Sequence, residues 1–441
     1  MKVFYIFFFL VFLQNCSFDN KSGIWKNENN STKKNDNIFK DFKSIYISDK
    51  SFQKTIPIKN NFKFTEVNTV DNYNWTDVYY NKSNNFPNFS FKENYKNIFK
   101  SKKITKYKIN KNLLFENNNV ITTDYRGNII IFSINENKLI SKYNFYKKKY
   151  KKINKKLNIK VEDNILYVFD NIGYFYAFNY NENKILWAKK HEVAFLSNIK
   201  IYKEKLIISD QNNKLYFINK KNGEKLAEIP TEETIVKNNF DNNLSLNNKL
   251  LFYINTFGSL YAINTENMRI VWFVNLNQSL ILNPRNIFFG SQIINYDDII
   301  AISSNENTYI IDQNTGSTLY KKNFASDLKS IIIKKYFFTI TKDNFLVAMN
   351  IDSGDIIYSY DLNEKIADFL STKKKEVKIK NFMILEGKIV VFLENSFILI
   401  FNINGNLQQI KKLPTKINTF PIIVDKSILY LDKKNRVSII N

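Results

Sequence analysis

At 441 residues, with 44% hydrophobic and 16% aromatic side chains, the chain has the length for several small domains or one repeat protein and ample material for a core. Its formal charge of +24 comes from 65 Lys and Arg against 41 Asp and Glu. Lys is spread through most turns, among the Asn, Ile and Phe of A/T-rich codons, rather than gathered on one stripe, so nucleic acid is not an expected partner. One cysteine, Cys16, and one histidine, His191, exclude an intrachain disulfide and a Cys/His zinc cluster. His-dependent catalysis would have to run through His191, which follows Lys189 and Lys190 at a strand end, where a solvated side chain is expected.

The chain opens with "MKVFYIFFFLVFLQNCS": Lys2, then an apolar run from Val3 to Leu13. The run is too short to span a bilayer as a mature helix and suits a signal-peptide core. Leu13-Gln14-Asn15-Cys16 resembles the lipobox of bacterial lipoproteins, with Asn15 in place of the usual small residue. The resemblance implies cleavage before Cys16, a diacylglycerol on its thiol, and, with Ser17 following, export to the outer membrane. An ordinary secretory signal with an incidental cysteine is the alternative.

From residue 16 to 72 the chain is rich in Asn, Lys, Ser and Asp, as in "KNENNSTKKNDN", with little apolar periodicity. This composition predicts a low-complexity tether and lead-in. Trp25 and the short "SIYI" and "KTIPI" runs are candidates to dock on the remainder.

Residues 73–441 repeat. Equivalent turns fall at Gly127, Gly173, Asn213, Gly258, Asn307, Asn344, Ser396 and Asn435, spaced 37 to 52 residues apart, near the length of one four-stranded blade. A β-rich run such as "ILYVFD" or "KLIISD" leads into each turn, and an alternating strand such as "GYFYAFN" or "GSLYAIN" follows it. A second turn obeys an eleven-residue frame. Ala262, Asn264, Asn267 and Trp272 sit at its positions 1, 3, 6 and 11; Ala177, Asn179, Asn183 and Trp187 fit it, as do Asp312, Thr315, Gly316 and Tyr320. Asp or Asn caps the turn, Gly takes the left-handed position, and the aromatic is a flat plate between sheets. The frame resembles the PQQ-type β-propeller repeat, Ala-x-Asp-x-x-Thr-Gly-x-x-x-Trp.

The eighth unit, "FPIIVDKSILYLDKKNRVSIIN", supplies three strands and would leave an open edge. The segment Lys96 to Ile109 precedes the first full unit and is placed to fill it. The fold expected is all-β: an eight-bladed β-propeller of four-stranded antiparallel blades, the last closed by an amino-terminal strand. Seven blades with a frayed last unit is the alternative.

A lipid-anchored eight-bladed ring of this repeat, with "GSLYAINTENMRIVWFVNL" followed by "NQSLILNPRNIFFGSQI", resembles the BamB family of outer-membrane β-barrel assembly lipoproteins. The lead-in "NWTDVYYNKSNNFPNFSF" resembles the segment before that family's first blade. The resemblance implies a non-enzymatic scaffold on the periplasmic face of the outer membrane of a Gram-negative bacterium. Its partners would be the POTRA domains of a BamA-like barrel protein and unfolded outer-membrane proteins. By the same resemblance Leu280, Leu282 and Arg285 fall in a partner-docking loop and Asp327 in the next one. Leu280 and Leu282 equally suit the buried face of the next inner strand.

No catalytic residue, metal ligand or cofactor is assigned. A PQQ-dependent dehydrogenase would call for acidic calcium ligands and a cysteine pair, which the sequence does not offer. A propeller binding another envelope protein or a glycan is the remaining alternative, for which the basic runs "YKKKYKKINKK" (146–156) and "TKKKEVKIK" (372–380) are candidates; each also reads as a solvated inter-blade loop.

Overall fold

The computed structural model describes residues 52–234, 242–277, 288, 290–304 and 306–441, together with two short strands, Cys16–Phe18 and Trp25–Asn27. The chain divides into two units, Met1–Lys50 and Ser51–Asn441. In the first, the two short strands pair antiparallel, Cys16 opposite Asn27.

The second unit is the expected ring of eight antiparallel sheets. Blade 1 begins with the strand Leu114–Glu116, and blades 2 to 8 begin with Leu157–Glu162, Lys200–Tyr202, Asn243–Leu246, Ile294–Tyr296, Ile331–Ile333, Ile379–Leu385 and Ile422–Val424. Each runs outward by hairpins. The middle strands, such as Ile165–Asp170 and Tyr174–Asn179, are buried almost throughout, because sheets pack on both of their faces. The outer strands alternate: in Arg269–Asn275 every second residue is exposed, including Val271 and Phe273.

Left-handed backbone appears at seven of the eight repeat turns, Asn307 being the exception. Gly127, Gly173, Asn213, Gly258, Asn344, Ser396 and Asn435 all have φ between 57° and 91°. Each frame aromatic seats on the frame glycine of the following blade. Trp187 covers Gly223 and donates from Nε1 to Lys220 O at 2.9 Å; Trp272 covers Gly316 and donates to Gln313 O at 3.0 Å. Tyr320 covers Gly354 and donates to Asp352 O at 2.6 Å. A Cβ on Gly223 would lie 2.6 Å from the Trp187 ring. The conformational and the packing reasons for glycine therefore coincide.

Blade 8 is closed as expected. Asn97–Lys100 pairs antiparallel with Val437–Ile440, Ser438 opposite Lys100 and Ile439 opposite Phe99. Its neighbours join blade 8 to blade 1: Asn435 Nδ2 donates to Thr105 O at 3.0 Å and Tyr107 O at 2.8 Å.

Three features depart from the sequence reading. Composition suggests a loose lead-in up to residue 72, with only short runs such as "KTIPI" as docking candidates; that run does dock, and so does the chain around it from Phe52 onward. Phe52 packs on Phe324 and Phe345, Ile56 bridges Ser359 on the outer strand of blade 6, and Phe62 and Phe64 pack on Tyr336. These apolar residues are too widely spaced to show a period, but each finds a gap on a blade. Blades 6 and 7 are joined by a helix, Leu362–Leu370, capped by Asp361, which accepts from Asn363 N at 2.8 Å. His191 is half-buried rather than solvated: it packs on Phe195 and Tyr216, with Nε2 3.3 Å from Asp210 Oδ2 on blade 3.

Candidate functional site

The inner edge of every blade turns unpaired backbone groups toward the ring axis, where burial without partners would be costly. One segment, Asn72 to Phe89, bonds to all eight inner strands in a single circuit, to backbone groups on seven blades and to the Lys200 side chain on blade 3. Asn72 Nδ2 donates to Ile423 O of blade 8 at 2.6 Å. Trp75 exchanges two backbone bonds with Phe115 of blade 1, and Thr76 O accepts from Val161 N of blade 2 at 3.1 Å. Lys200 of blade 3 reaches Asp77 and Asn81 O, each at 2.9 Å. Lys82 O accepts from Leu246 N of blade 4, and Ser83 O from Asn295 N of blade 5. Asn85 takes both backbone groups of Ile332 of blade 6, at 2.7 and 2.9 Å. Asn88–Phe89 then pairs parallel with Ile384–Leu385 of blade 7.

The sequence places this segment before blade 1; the structure places it inside the ring. Its signal was legible as an unusual density of Asn in "NKSNNFPNF", side chains able to satisfy a donor and an acceptor at once.

The circuit is pinned by one buried ion pair. Lys200 Nζ lies 2.9 Å from Asp77 Oδ2, with both side chains essentially without exposure, and Lys160 Nζ lies 3.8 Å from the same oxygen. Burial pushes the Lys200 ammonium down to about 8, with Asp77 acting against that shift. Asp77 also accepts from Tyr79 N at 2.9 Å, which holds the tight turn where Tyr80 adopts φ 85°.

Beside this plug, a cavity of about 580 Å³ opens on the face that carries the connections into the inner strands. Trp75, Phe86, Leu113 and Ile159 give it an apolar lining; Lys111, Lys155, Lys156, Lys329 and Lys380 line it as well. Lys155 and Lys156 end one of the two basic runs and Lys380 ends the other, so these runs reach the axis rather than lying wholly in solvent. Across the opposite ends of inner strands 6 and 7, Phe64 to Thr69 border a second cavity of about 360 Å³.

Of the residues singled out from sequence, Asp327 stands on the rim of the axial cavity, 76% exposed and 3.3 Å from Lys342. Leu280, Leu282 and Arg285 lie outside the described residues. The described ends of their loop, Asn277 and Phe288, both lie against the Thr256–Gly258 turn of blade 4. Cys16 belongs to the short Cys16–Phe18 strand. Among the described residues there is no group of three or more His, Cys, Asp or Glu able to hold a metal ion, and no helix long and apolar enough to cross a membrane.

Comparison with known proteins agrees with this architecture. A structure of BamB from Moraxella catarrhalis superposes with a TM-score of 0.60 at 12% identity, over 77% of this chain and 99% of that one. The computationally designed protein Ika8 gives 0.57 at 12% identity, over 77% and 98%. Quinohemoprotein alcohol dehydrogenase from Comamonas testosteroni gives 0.62 at 8% identity, over 83% and 80%. At these identities the likeness is one of fold. A comparison with curated protein sequences yields no match. The sequence model for outer membrane protein assembly factor BamB, however, matches residues 127–360, more than half of the chain. The repeat, the eight blades and this match together place the chain in the BamB family.

Proposed function

We propose that the chain is a non-enzymatic, lipid-anchored scaffold of outer-membrane β-barrel assembly, held to the membrane through Cys16 and facing the periplasm. Membership of the BamB family is the observation that carries this reading. The architecture supports it physically. With its axis threaded by Asn72–Phe89, the ring is a rigid platform, and rigid loops lose little entropy when a partner docks. The docking surface is the face around the axial cavity, where Asp327 stands and where the loop holding Leu280, Leu282 and Arg285 begins and ends. Its partner is the POTRA region of a BamA-like barrel protein, with unfolded outer-membrane proteins as transient clients.

The lining of the axial cavity favours the scaffold reading over a dehydrogenase one. A calcium-held quinone needs several acidic ligands, whereas the axial cavity offers lysines, amides and one exposed carboxylate.

Photo-crosslinkers at Leu280 and Asp327 in intact cells test the reading. Capture of the BamA-like protein is the expected result; reproducible capture of another envelope component, or none at either position, overturns it. For the anchor, Cys16→Ser is expected to abolish incorporation of radiolabelled fatty acid, and undiminished labelling would refute it.

A further inference from the structure

The axial cavity holds more positive charge than the scaffold reading uses. Lys155 is 2% exposed and Lys329 6% exposed. An ammonium carries three donors. The structure gives Lys155 one acceptor, Tyr150 O, and the face of Tyr146 at 5.2 Å; it gives Lys329 one acceptor, Tyr79 O at 3.2 Å, and the face of Phe86 at 2.9 Å. The half-buried Lys380 donates to Asn418 O, and Lys111 stands at the rim. Among the described residues none of these four lysines forms an ion pair. The one carboxylate on the wall, Asp327, is exposed and engaged by Lys342.

Buried cations are ordinarily paired, because an uncompensated charge in a low-dielectric interior is costly. That cost is visible here as a downward pressure on the lysine pKa values. Burial pushes Lys329 well down and Lys155 down, and Lys380 is pushed down to about 8 by burial and by Lys111. A second observation points the same way. Asn158, on the inner strand of blade 2, lines the cavity with its Nδ2 out of reach of solvent and without a hydrogen-bond partner. Lysines without carboxylate partners and an amide without a partner thus line one space of about 580 Å³, a wall short of acceptors. Small-molecule sites span about 300–1,000 Å³, so the space suits a compact ligand rather than a polymer.

We propose that the axial cavity binds a small multivalent anion, phosphorylated or polycarboxylated, held by Lys329 and Lys380 with Lys111 at its mouth. The basic runs 146–156 and 372–380 end at this wall and raise the local concentration of anions at its mouth. The site is independent of the docking role and stands whether or not a barrel protein is the partner.

Calorimetric titration of the full chain with inorganic tripolyphosphate, and separately with citrate, at ionic strength held constant with KCl, tests the proposal. Saturable one-to-one binding is expected, and the tighter of the two probes assigns phosphate or carboxylate chemistry. Lys329→Gln and Lys380→Gln should each weaken it at least about tenfold. Lys184→Gln, on the outer strand of blade 2, should leave it unchanged. Should Lys329→Gln fail to fold, Lys380→Gln at the half-buried wall provides the same reading. In a thermal melt the better probe should raise the midpoint of the wild type but not of the Lys380→Gln variant. No saturable heat from either probe, or equal weakening by Lys184→Gln, overturns the proposal.

Discussion

The seams between blades and the ring axis solve the same problem, joining eight sheets, by opposite means. At the seams the joint is repeated and local: an aromatic of one blade, a left-handed glycine of the next, and a backbone carbonyl beside it. Each joint touches two blades, as in other repeat architectures, where stability is close to a sum of nearest-neighbour terms. At the axis the joint is unique and global. Asn72–Phe89 bonds to all eight inner strands in turn, so loss of one contact there is felt by a segment shared by every blade. Repeated apolar joints make the ring self-similar; the polar thread makes it one cooperative body.

The largest test of that contrast removes the pin of the thread. Asp77→Ala leaves Lys200 buried without its carboxylate and frees the turn at Tyr79, and about 3–5 kcal/mol of stability should be lost. Denaturant unfolding measures it. Replacing the pair together, Asp77→Asn with Lys200→Met, should restore most of the loss, because the cost lies in the orphaned charge. A single Asp77→Ala loss below about 1 kcal/mol would mean that the thread does not bind the ring together.

The seams should yield next. Trp187→Ala empties a plate that is 9% exposed and removes the bond to Lys220 O, for about 3 kcal/mol. Gly223→Ala carries two costs, a side chain at φ 73° and a Cβ 2.6 Å from the Trp187 ring, together about 2 kcal/mol. Gly387 separates them: its φ is 69°, but a Cβ there would meet nothing within 4 Å, so Gly387→Ala should cost only about 1 kcal/mol. In a double-mutant cycle, Gly223→Ala should cost less once Trp187 is Ala, since the overlap disappears and only the backbone term survives. Additive costs would show that ring and glycine are not energetically joined.

The same contrast decides what the sequence makes legible. Turns, frame and blade count recur, so Gly258 and Trp272 can be read by comparison with Gly127, Gly173 and Trp187. The unpaired third strand of the last unit then identifies Asn97–Lys100 as its partner by need. The axial thread occurs once in the chain and has no second copy there to be aligned with. Its contacts join residues such as Asn84 and Ile293, separated by 209 positions, and no local pattern encodes that distance. Basic runs 146–156 and 372–380 read as solvated loops for a related reason: from charge alone the final lysines, Lys155 and Lys380, look like the others, and only the ring's closure brings them to one wall. The helix Leu362–Leu370 is too short for its period to stand out from the strands around it.

The smallest effect concerns the protonation of the thread's pin. Lys200 faces Asp77 at 2.9 Å, with Lys160 beside that carboxylate and lowering Lys200 in turn, while Lys200 itself acts on Lys329. Its ammonium titrates near 8 in the folded chain, against 10.5 when exposed. Between these values the unfolded chain holds the proton that the folded chain has released, so raising the pH favours folding. The contribution is about 1 kcal/mol of added stability between pH 8 and 9. Above about pH 10 tyrosines ionise first in the unfolded chain, since burial pushes Tyr176 and Tyr253 up in the folded one, and this opposes any further gain. The overall positive charge also relaxes toward neutrality in this range, so the wild-type slope alone is not diagnostic. The Lys200→Met variant supplies the reference. Its thermal midpoint should climb less steeply from pH 8 to 9 than that of the wild type, and parallel slopes would mean that the pin does not titrate in this window.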